Sequence, residues 1–356
     1  MKRCVLMVLI LALAAGALAG CGAPRQKTPV VVFCAGSLMI PFDALEKAFE
    51  AKYPNADVQI EAHGSIQVIR HVTDIGEKID VVATADHLLL PALMYAKQDP
   101  ETGKPYADWY IRFASNRMVL AYGPKSRYAA ELNADNWYEI LRRPDVKVGL
   151  ADPRFDAAGY RQLMIYQLAE TLYGKKTYFA DMLMGRFTAS INIAEENGVQ
   201  VIRVPEVLET RPNSTLVMRG ASVQLIPLLE SGDIDYIFEY ESVVQQHKLA
   251  YLSLPEALNL GAPAQSERYR QVAIRLDFQR FASVKPEFRG DVIGYGITIP
   301  SNAPHPDLAT QFVAFLLGPE GRRVMAENNH PLLEPAVADS YARLPAALKK
   351  LSVAAP

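Results

Sequence analysis

Two short junctions, Ala35-Gly36-Ser37 and Gly64-Ser65, put a hydroxyl beside a small residue where an extended segment gives way to a helical one. Such a junction carries free backbone N–H groups as well as the hydroxyl, and it attracts negative charge. One Gly-Ser alone reads as a plain N-cap. Two of them, at matching places in consecutive strand–helix units, predict a shared anion site without a formal positive charge. A third junction, ADPRFDAAGYR, follows a strand in a later unit and opens a helix. Here Asp156 reads either as a helix cap or as a carboxylate facing a cleft. The small Ala157-Ala158-Gly159 would let backbone approach a ligand closely. Tyr240 ends the apolar run DYIFEY, where a phenol could donate into the same cleft.

Other candidates are weaker. Asp233, Asp235, Glu239 and Glu241 could be paired acids or a cation site; they are expected to be mostly turn and surface residues. The histidines at 63, 71, 87, 247, 305 and 330 form no HExxH or other close ligand pair. Only His63 adjoins a candidate junction. There is no GxSxG elbow, no Walker A loop and no GxGxxG after a strand. A hydrolase built on Ser37, Ser65 or Asp156 would lack a visible nucleophile–base pair.

The elements that must position these groups alternate. Strand signals lie at PVVVFCAGS, 57–61, 80–83, 118–122, 147–150, 235–240 and 292–300. Helical periodicity lies at 41–53, 66–74, 159–172, 306–317 and 320–327. The stretch 255–289 is polar and ambiguous. The pattern predicts an α/β protein of two units; the βαβαβ order of the first implies a parallel sheet with right-handed crossovers. A cleft would form where strand ends and helix starts converge.

Composition narrows the class. The N-terminus begins with Lys2 and Arg3, then an apolar run from 5 to 19, the layout of a secretory leader. It ends Leu18-Ala19-Gly20-Cys21, which resembles the bacterial lipobox; by that resemblance, cleavage would leave Cys21 lipidated. The next residues, 22–28, read as a flexible tether. Removing Lys2 and Arg3 with the leader leaves 35 basic against 39 acidic residues, a net charge of −4, which excludes a nucleic-acid binder. Only Cys34 would remain unmodified, so no intrachain disulfide and no cysteine metal cluster is expected. No second apolar run is long enough for a membrane helix. A globular body held at a membrane surface by its first residue is expected.

Longer strings carry a specific resemblance. They include FCAGSLMIPF (33–42), EAHGSIQVIRHVTDIG (61–76), NWYEILRRPDVKVGLADP (136–153), ESGDIDYIFEYESV (230–243) and YGITIPSNAPHPDLATQFVAFLLGPEG (295–321). Through these the chain resembles the solute-binding proteins of bacterial and archaeal ABC importers for tungstate and molybdate. The resemblance implies a type II periplasmic-binding fold, with two α/β lobes closing over the oxyanion. Lobe one would comprise 29–118 and 291–345, lobe two 119–290, with a tail at 346–356. It implies ligand contacts at Ser37, Ser65, Asp156 and Tyr240 and at backbone near Ala158 or Gly159. It further implies an ABC permease as partner and a monomer anchored only by lipid, facing the periplasm or the extracellular side. No cofactor is implied beyond the carried oxyanion.

Some relatives bring two carboxylates to the metal of the oxyanion. Asp156 falls at the first of these positions, as a possible contact to that metal, and Ser222 falls at the second. Gln224 is also neutral. A serine donates to an oxyanion oxygen, whereas a carboxylate beside a dianion is repelled unless it ligates the metal. Tetrahedral binding or an altered preference, for sulfate or phosphate, is therefore an alternative.

Overall fold

A computed structural model describes residues 27–277 and 287–356. The leader and Cys21 lie outside the described residues. Strands are numbered in chain order. β1 (Thr28–Ala35) pairs in parallel with β2 (Ala56–His63) and β3 (Val81–Thr84). β1 buries Val30, Val32, Phe33 and Cys34, the near-continuous apolar run of a strand covered on both faces. The helix Met39–Lys52 covers one face with Phe42, Leu45 and Phe49, spaced at helical intervals. Phe49 meets Phe312 and Phe315 of the helix Pro306–Leu317 edge to face, at 5.3 and 5.5 Å.

β4 (Tyr110–Ser115) belongs to this first sheet, and β5 (Met118–Tyr122) to a second. Only Asn116 and Arg117 separate them, so this dipeptide carries the chain between lobes. The second sheet continues with β6 (Val148–Ala151), β9 (Leu216–Arg219), β10 (Tyr236–Tyr240) and β11 (Ala250–Ser253), in the order β11-β5-β10-β6-β9. Beside it stands a four-stranded sheet of β7 (Asn192–Glu196), β8 (Val199–Pro205), β12 (Val272–Asp277) and β13 (Glu287–Arg289). Its β12–β8 pairing occupies part of the stretch whose sequence is ambiguous.

The helix Ala157–Tyr173 packs against both of these sheets, so every residue from Ala157 to Ala169 is buried and no amphipathic stripe survives. Gly174 ends it at φ 64°, the left-handed conformation that glycine adopts without Cβ strain. Trp137 anchors the lobe-two core, with Tyr138, Tyr173, Tyr178 and Phe238 edge to face around it.

The chain then returns. β14 (Gly294–Thr298) inserts antiparallel between β3 and β4, and β15 (Leu332–Asp339) and β16 (Ser352–Ala354) complete the first sheet as β16-β15-β4-β14-β3-β1-β2. The C-terminal residues thus form a strand on lobe one rather than hanging free. The result is two α/β lobes joined by strands that cross between them, with the ends of β1, β3, β6 and β10 turned toward one cleft.

Candidate functional site

Each lobe contributes groups that are at most 5% exposed: Ser37, Ser65 and Tyr295 from lobe one; Asp156, Arg161, Ser222, Glu239 and Tyr240 from lobe two. The lobes touch through them. The Phe155 carbonyl accepts from the amides of Ile66 (3.0 Å) and Gln67 (3.4 Å), in the first turn of the helix Ser65–Arg70. A Cβ on Gly64 would lie 2.4 Å from that carbonyl oxygen, so a bare backbone is required there. A Cβ on Gly36 would lie 3.0 Å from a Val223 methyl. Phe155 is itself held by Arg154, which grips Asp152 and the carbonyls of Glu206 and Leu208.

Fixed donors converge on the hydroxyls around the cleft. Asn116 Nδ2 donates to Tyr295 Oη (3.2 Å), and Tyr295 lies 2.9 Å from Ser37 Oγ. Asn116 uses its Oδ1 for the amides of Arg117 and Ser242, so its nitrogen is the donor toward Tyr295. Tyr295 Oη thus accepts from Asn116, and between Tyr295 and Ser37 either hydroxyl can donate; when Tyr295 gives the proton, the Ser37 proton points elsewhere. The Ala85 amide donates to Ser65 Oγ at 3.0 Å, which likewise leaves the Ser65 proton free. Arg161 Nη1 donates to Tyr240 Oη at 2.6 Å and to the Ala85 carbonyl at 2.8 Å.

Arg161 was not singled out as a site residue from the sequence. It corrects the expectation that formal positive charge is absent: a buried guanidinium stands directly behind the Tyr240 phenol. Its counter-ion is Asp86, 3.3 Å away, whose Oδ2 also accepts from Tyr160 Oη at 2.5 Å. Burial works against the Arg161 charge, but Tyr240 and Asp86 hold the group above its ordinary range.

Asp156 caps the helix Ala157–Tyr173, accepting the Ala158 amide at 2.8 Å on one oxygen and the Ser222 amide at 2.9 Å on the other. Burial pushes its carboxyl above the usual range, and these two amides work against that rise. The Gly159 amide donates to the Asp156 carbonyl at 3.1 Å, and a Cβ there would lie 2.1 Å from the Ala151 carbonyl oxygen. Close packing on β6 accounts for this glycine. Gln224 Oε1 reaches back to the Ala221 amide at 3.4 Å, next to Ser222.

The acidic run needs correction. Asp233 is exposed, but Asp235 and Glu239 are buried rather than on turns and surface. Asp235 is structural: it accepts the amides of Arg127 and Lys147 and pairs with the Arg127 guanidinium. Glu239 is fully buried beside Ser222 and accepts the Tyr240 amide at 2.7 Å. Burial pushes its carboxyl up to about 8. His63 stacks on His71 with ring centres 4.7 Å apart, and among the described residues no histidine bonds Ser37 or Ser65.

These contacts close into a ring. From Ser37 it runs through Tyr295 to the Tyr240 ring (centres 5.9 Å apart), then by Arg161 to Ala85 and Ser65. It crosses at Phe155 to Asp156 and Ser222, and returns by Val223 to Gly36. Chemically, this is a buried ring of hydroxyls, two of which, Ser65 and Tyr240, have a lone pair engaged from behind. Such hydroxyls offer protons and suit an acceptor-rich guest.

Comparison with known proteins gives a concordant picture. Residues 30–328 match the bacterial extracellular solute-binding protein family. The chain is 38% identical over 335 residues to the molybdate/tungstate-binding protein WtpA of Thermococcus kodakarensis, covering 92% of this chain and 88% of that one. It is 40% identical over 306 residues to an uncharacterized solute-binding protein of Petrotoga mobilis, covering 86% and 84%. Among solved structures it resembles the periplasmic molybdate-binding protein of Azotobacter vinelandii (TM-score 0.53, 13% identity, 85% of this chain and 99% of that one). It also resembles the sulfate-binding protein SubI of Mycobacterium tuberculosis (TM-score 0.55, 14% identity, 87% and 88%). The fold is the two-lobed type II periplasmic-binding fold.

Proposed function

The chain belongs to the bacterial extracellular solute-binding proteins, and from that premise we propose that it captures tungstate or molybdate between its lobes and hands it to an ABC permease. The observation that carries this reading is the convergence of fixed donors on the hydroxyls around the cleft. Ser65 and Tyr240 each have an engaged lone pair and a free proton, and Ser37 has the same when Tyr295 donates to it. A fully deprotonated tetrahedral anion can satisfy all of them. A protonated oxygen would set donor against donor and leave a buried group unpaired. Because donors come from both lobes, the anion favours the closed arrangement over an open one, which is how binding drives closure.

Within this reading Ser37, Ser65, Ser222 and Tyr240 are ligand contacts, and Asp156 organises the shell from the lobe-two side. Asp156 spends one lone pair of each oxygen on an amide and keeps others for the metal of the oxyanion. Gly159 serves by letting the helix start close to β6. A sulfate or phosphate receptor remains the second reading, favoured by the serine at position 222 in place of a carboxylate. A hydrolase is disfavoured, because neither cleft serine has a histidine partner among the described residues.

The binder is exported by residues 1–20, held at the membrane by lipid on Cys21, and monomeric. No described helix is long and apolar enough to cross a membrane. Cys21→Ser should move the protein from the membrane fraction to the soluble one.

The test of the main reading is titration calorimetry with tungstate, molybdate, sulfate and phosphate in turn. Tight binding of the first two, with the others far weaker, supports it. Equal or tighter binding of sulfate or phosphate would replace it with the second reading.

A further inference from the structure

Three of the four hydroxyls around the cleft have a donor standing behind them. Asn116 acts through Tyr295 on Ser37, the Ala85 amide acts on Ser65, and Arg161 acts on Tyr240. Ser222 is the exception: its amide is tied to Asp156, and among the described residues no fixed donor stands behind its Oγ. The group beside it is Glu239, which is 0% exposed. Glu239 spends Oε1 on the Tyr240 amide at 2.7 Å; its Oε2 has no well-formed hydrogen bond, and the side chain that acts on the carboxyl is the neighbouring Ser222 hydroxyl. A fully buried polar atom without a partner is costly and calls for an explanation.

We propose that Glu239 is a positioning residue for the anion: as a neutral acid it donates from Oε2 to Ser222 Oγ, turning the Ser222 proton inward and completing the donor shell. The proposal rests on the oxyanion reading above. It makes the four hydroxyls equivalent, each accepting from behind and donating forward. Without the proton the polarity reverses: the Ser222 hydroxyl donates to the Glu239 carboxylate and is lost to the ligand.

The surrounding charges favour the neutral form. Facing Glu239 are Asp156, from the turn before the helix Ala157–Tyr173, and Ser222, from the turn after β9. Tyr240 follows it on its own strand, and Tyr295 faces it from β14. The partner across β5 is Val119, and β6 runs alongside with Val148 and Gly149, none of them charged. The buried cation of this cleft, Arg161, is occupied by Asp86 and Tyr240. Burial raises the Glu239 carboxyl and outweighs the opposing Tyr240 amide; Asp156 raises it further, and a Ser222 hydroxyl donating to the carboxylate works the other way. A bound dianion adds like charge to the same enclosure and strengthens the preference. Where the empty site holds Glu239 ionised, binding therefore takes up one proton from solvent, and that proton resides on Oε2.

The test uses the full chain and tungstate or molybdate, whose charge is constant over the range, from about pH 6 to about pH 9.5. Affinity should be flat below about pH 8 and fall above it. Close to one proton should be taken up per anion at the alkaline end, read from binding enthalpies in buffers of different ionisation enthalpy. Glu239→Gln keeps both the acceptor and a donor. It should bind within about threefold of wild type at neutral pH, with a flat profile and no proton uptake. Glu239→Leu lacks the donor and should lose about tenfold. Combining Glu239→Leu with Ser222→Ala should cost no more than either change alone, because the two act as one unit. Glu239→Leu binding like wild type, or identical flat profiles for wild type and Glu239→Gln, would overturn the proposal. If the wild-type chain binds neither anion, the oxyanion reading falls and takes this role of Glu239 with it.

Discussion

The Arg161 guanidinium donates to the Tyr240 hydroxyl at 2.6 Å across the buried floor of the cleft, and the same nitrogen reaches the Ala85 carbonyl of the opposite lobe. One side chain thus orients the Tyr240 hydroxyl and ties lobe two to lobe one. Its charge is balanced in place by Asp86, so the cleft gains an oriented dipole at Tyr240 and no net positive charge.

Tyr240→Phe should separate these duties. The ring packing on Tyr295 survives, but the donor to the anion is lost and one Arg161 bond is broken. Affinity should fall by about 10- to 100-fold, with a stability loss of about 1–3 kcal/mol. Titration calorimetry and chemical denaturation read the two effects independently.

Arg161→Met should be more damaging to the fold. It leaves the Asp86 carboxylate buried without its ion-pair partner, which costs about 3–5 kcal/mol. Urea unfolding of the anion-free protein should show the loss; an unchanged midpoint would mean that the pair is not buried in solution.

Gly64→Ala probes closure. Gly64 lies at φ −63°, ψ 143°, open to any residue, so alanine strains nothing within lobe one. Its methyl would sit 2.4 Å from the Phe155 carbonyl of lobe two. The thermal midpoint of the empty protein should change little. Affinity should fall at least about tenfold, by forfeiting the cross-lobe hydrogen bonds. Small-angle scattering should show that the anion no longer compacts the molecule.

Asp156→Asn keeps the shape but replaces one acceptor with a donor. One of the two amides, Ala158 or Ser222, then faces an NH2 group. A stability loss of about 1–2 kcal/mol is expected, together with weaker anion binding, because the Ser222 turn loses its tether.

His330 sets a pH limit on stability. It is buried with both ring nitrogens unpartnered, edge-on to Tyr295 at 4.6 Å, and burial drives its pKa down to about 4 from 6.5. The unfolded chain therefore binds the proton more readily than the folded one. The stabilising contribution is complete above about pH 6.5 and is lost as pH falls from there through about 4. Between neutral pH and pH 4.5 this group should account for about 2–3 kcal/mol. His330→Leu should reduce that acid sensitivity in urea titrations at the two pH values, with little cost at neutral pH.

The alternation of strands and helices was legible along the chain because each element has its own period and its own buried face. The junctions at Ser37, Ser65 and Asp156 and the strand end at Tyr240 were legible for the same reason: a small residue, a hydroxyl or a cap at a strand end is a local signal. β12 and β13 were not, since their edges and polar faces carry no clean alternation, and β12 pairs in parallel with β8, some seventy residues earlier.

The groups that aim the site were hidden for a different reason. Tyr295 meets Ser37 across 258 residues of sequence, and only because β14 returns to insert between β3 and β4. Arg161 looks like an ordinary member of a helix, and Glu239 reads as one of an acidic run expected on turns and surface. Their roles depend on what faces them from other elements: Tyr240, Asp86, Asp156 and Ser222. The sequence by itself determined the two α/β units, the cleft and the donors at its strand ends, because propensity and periodicity act within a few residues. The tertiary structure decided which donors stand behind the Ser65 and Tyr240 hydroxyls and how the Arg161 charge is paired, because hydrogen-bond polarity and desolvation depend on neighbours that only the closed fold brings together.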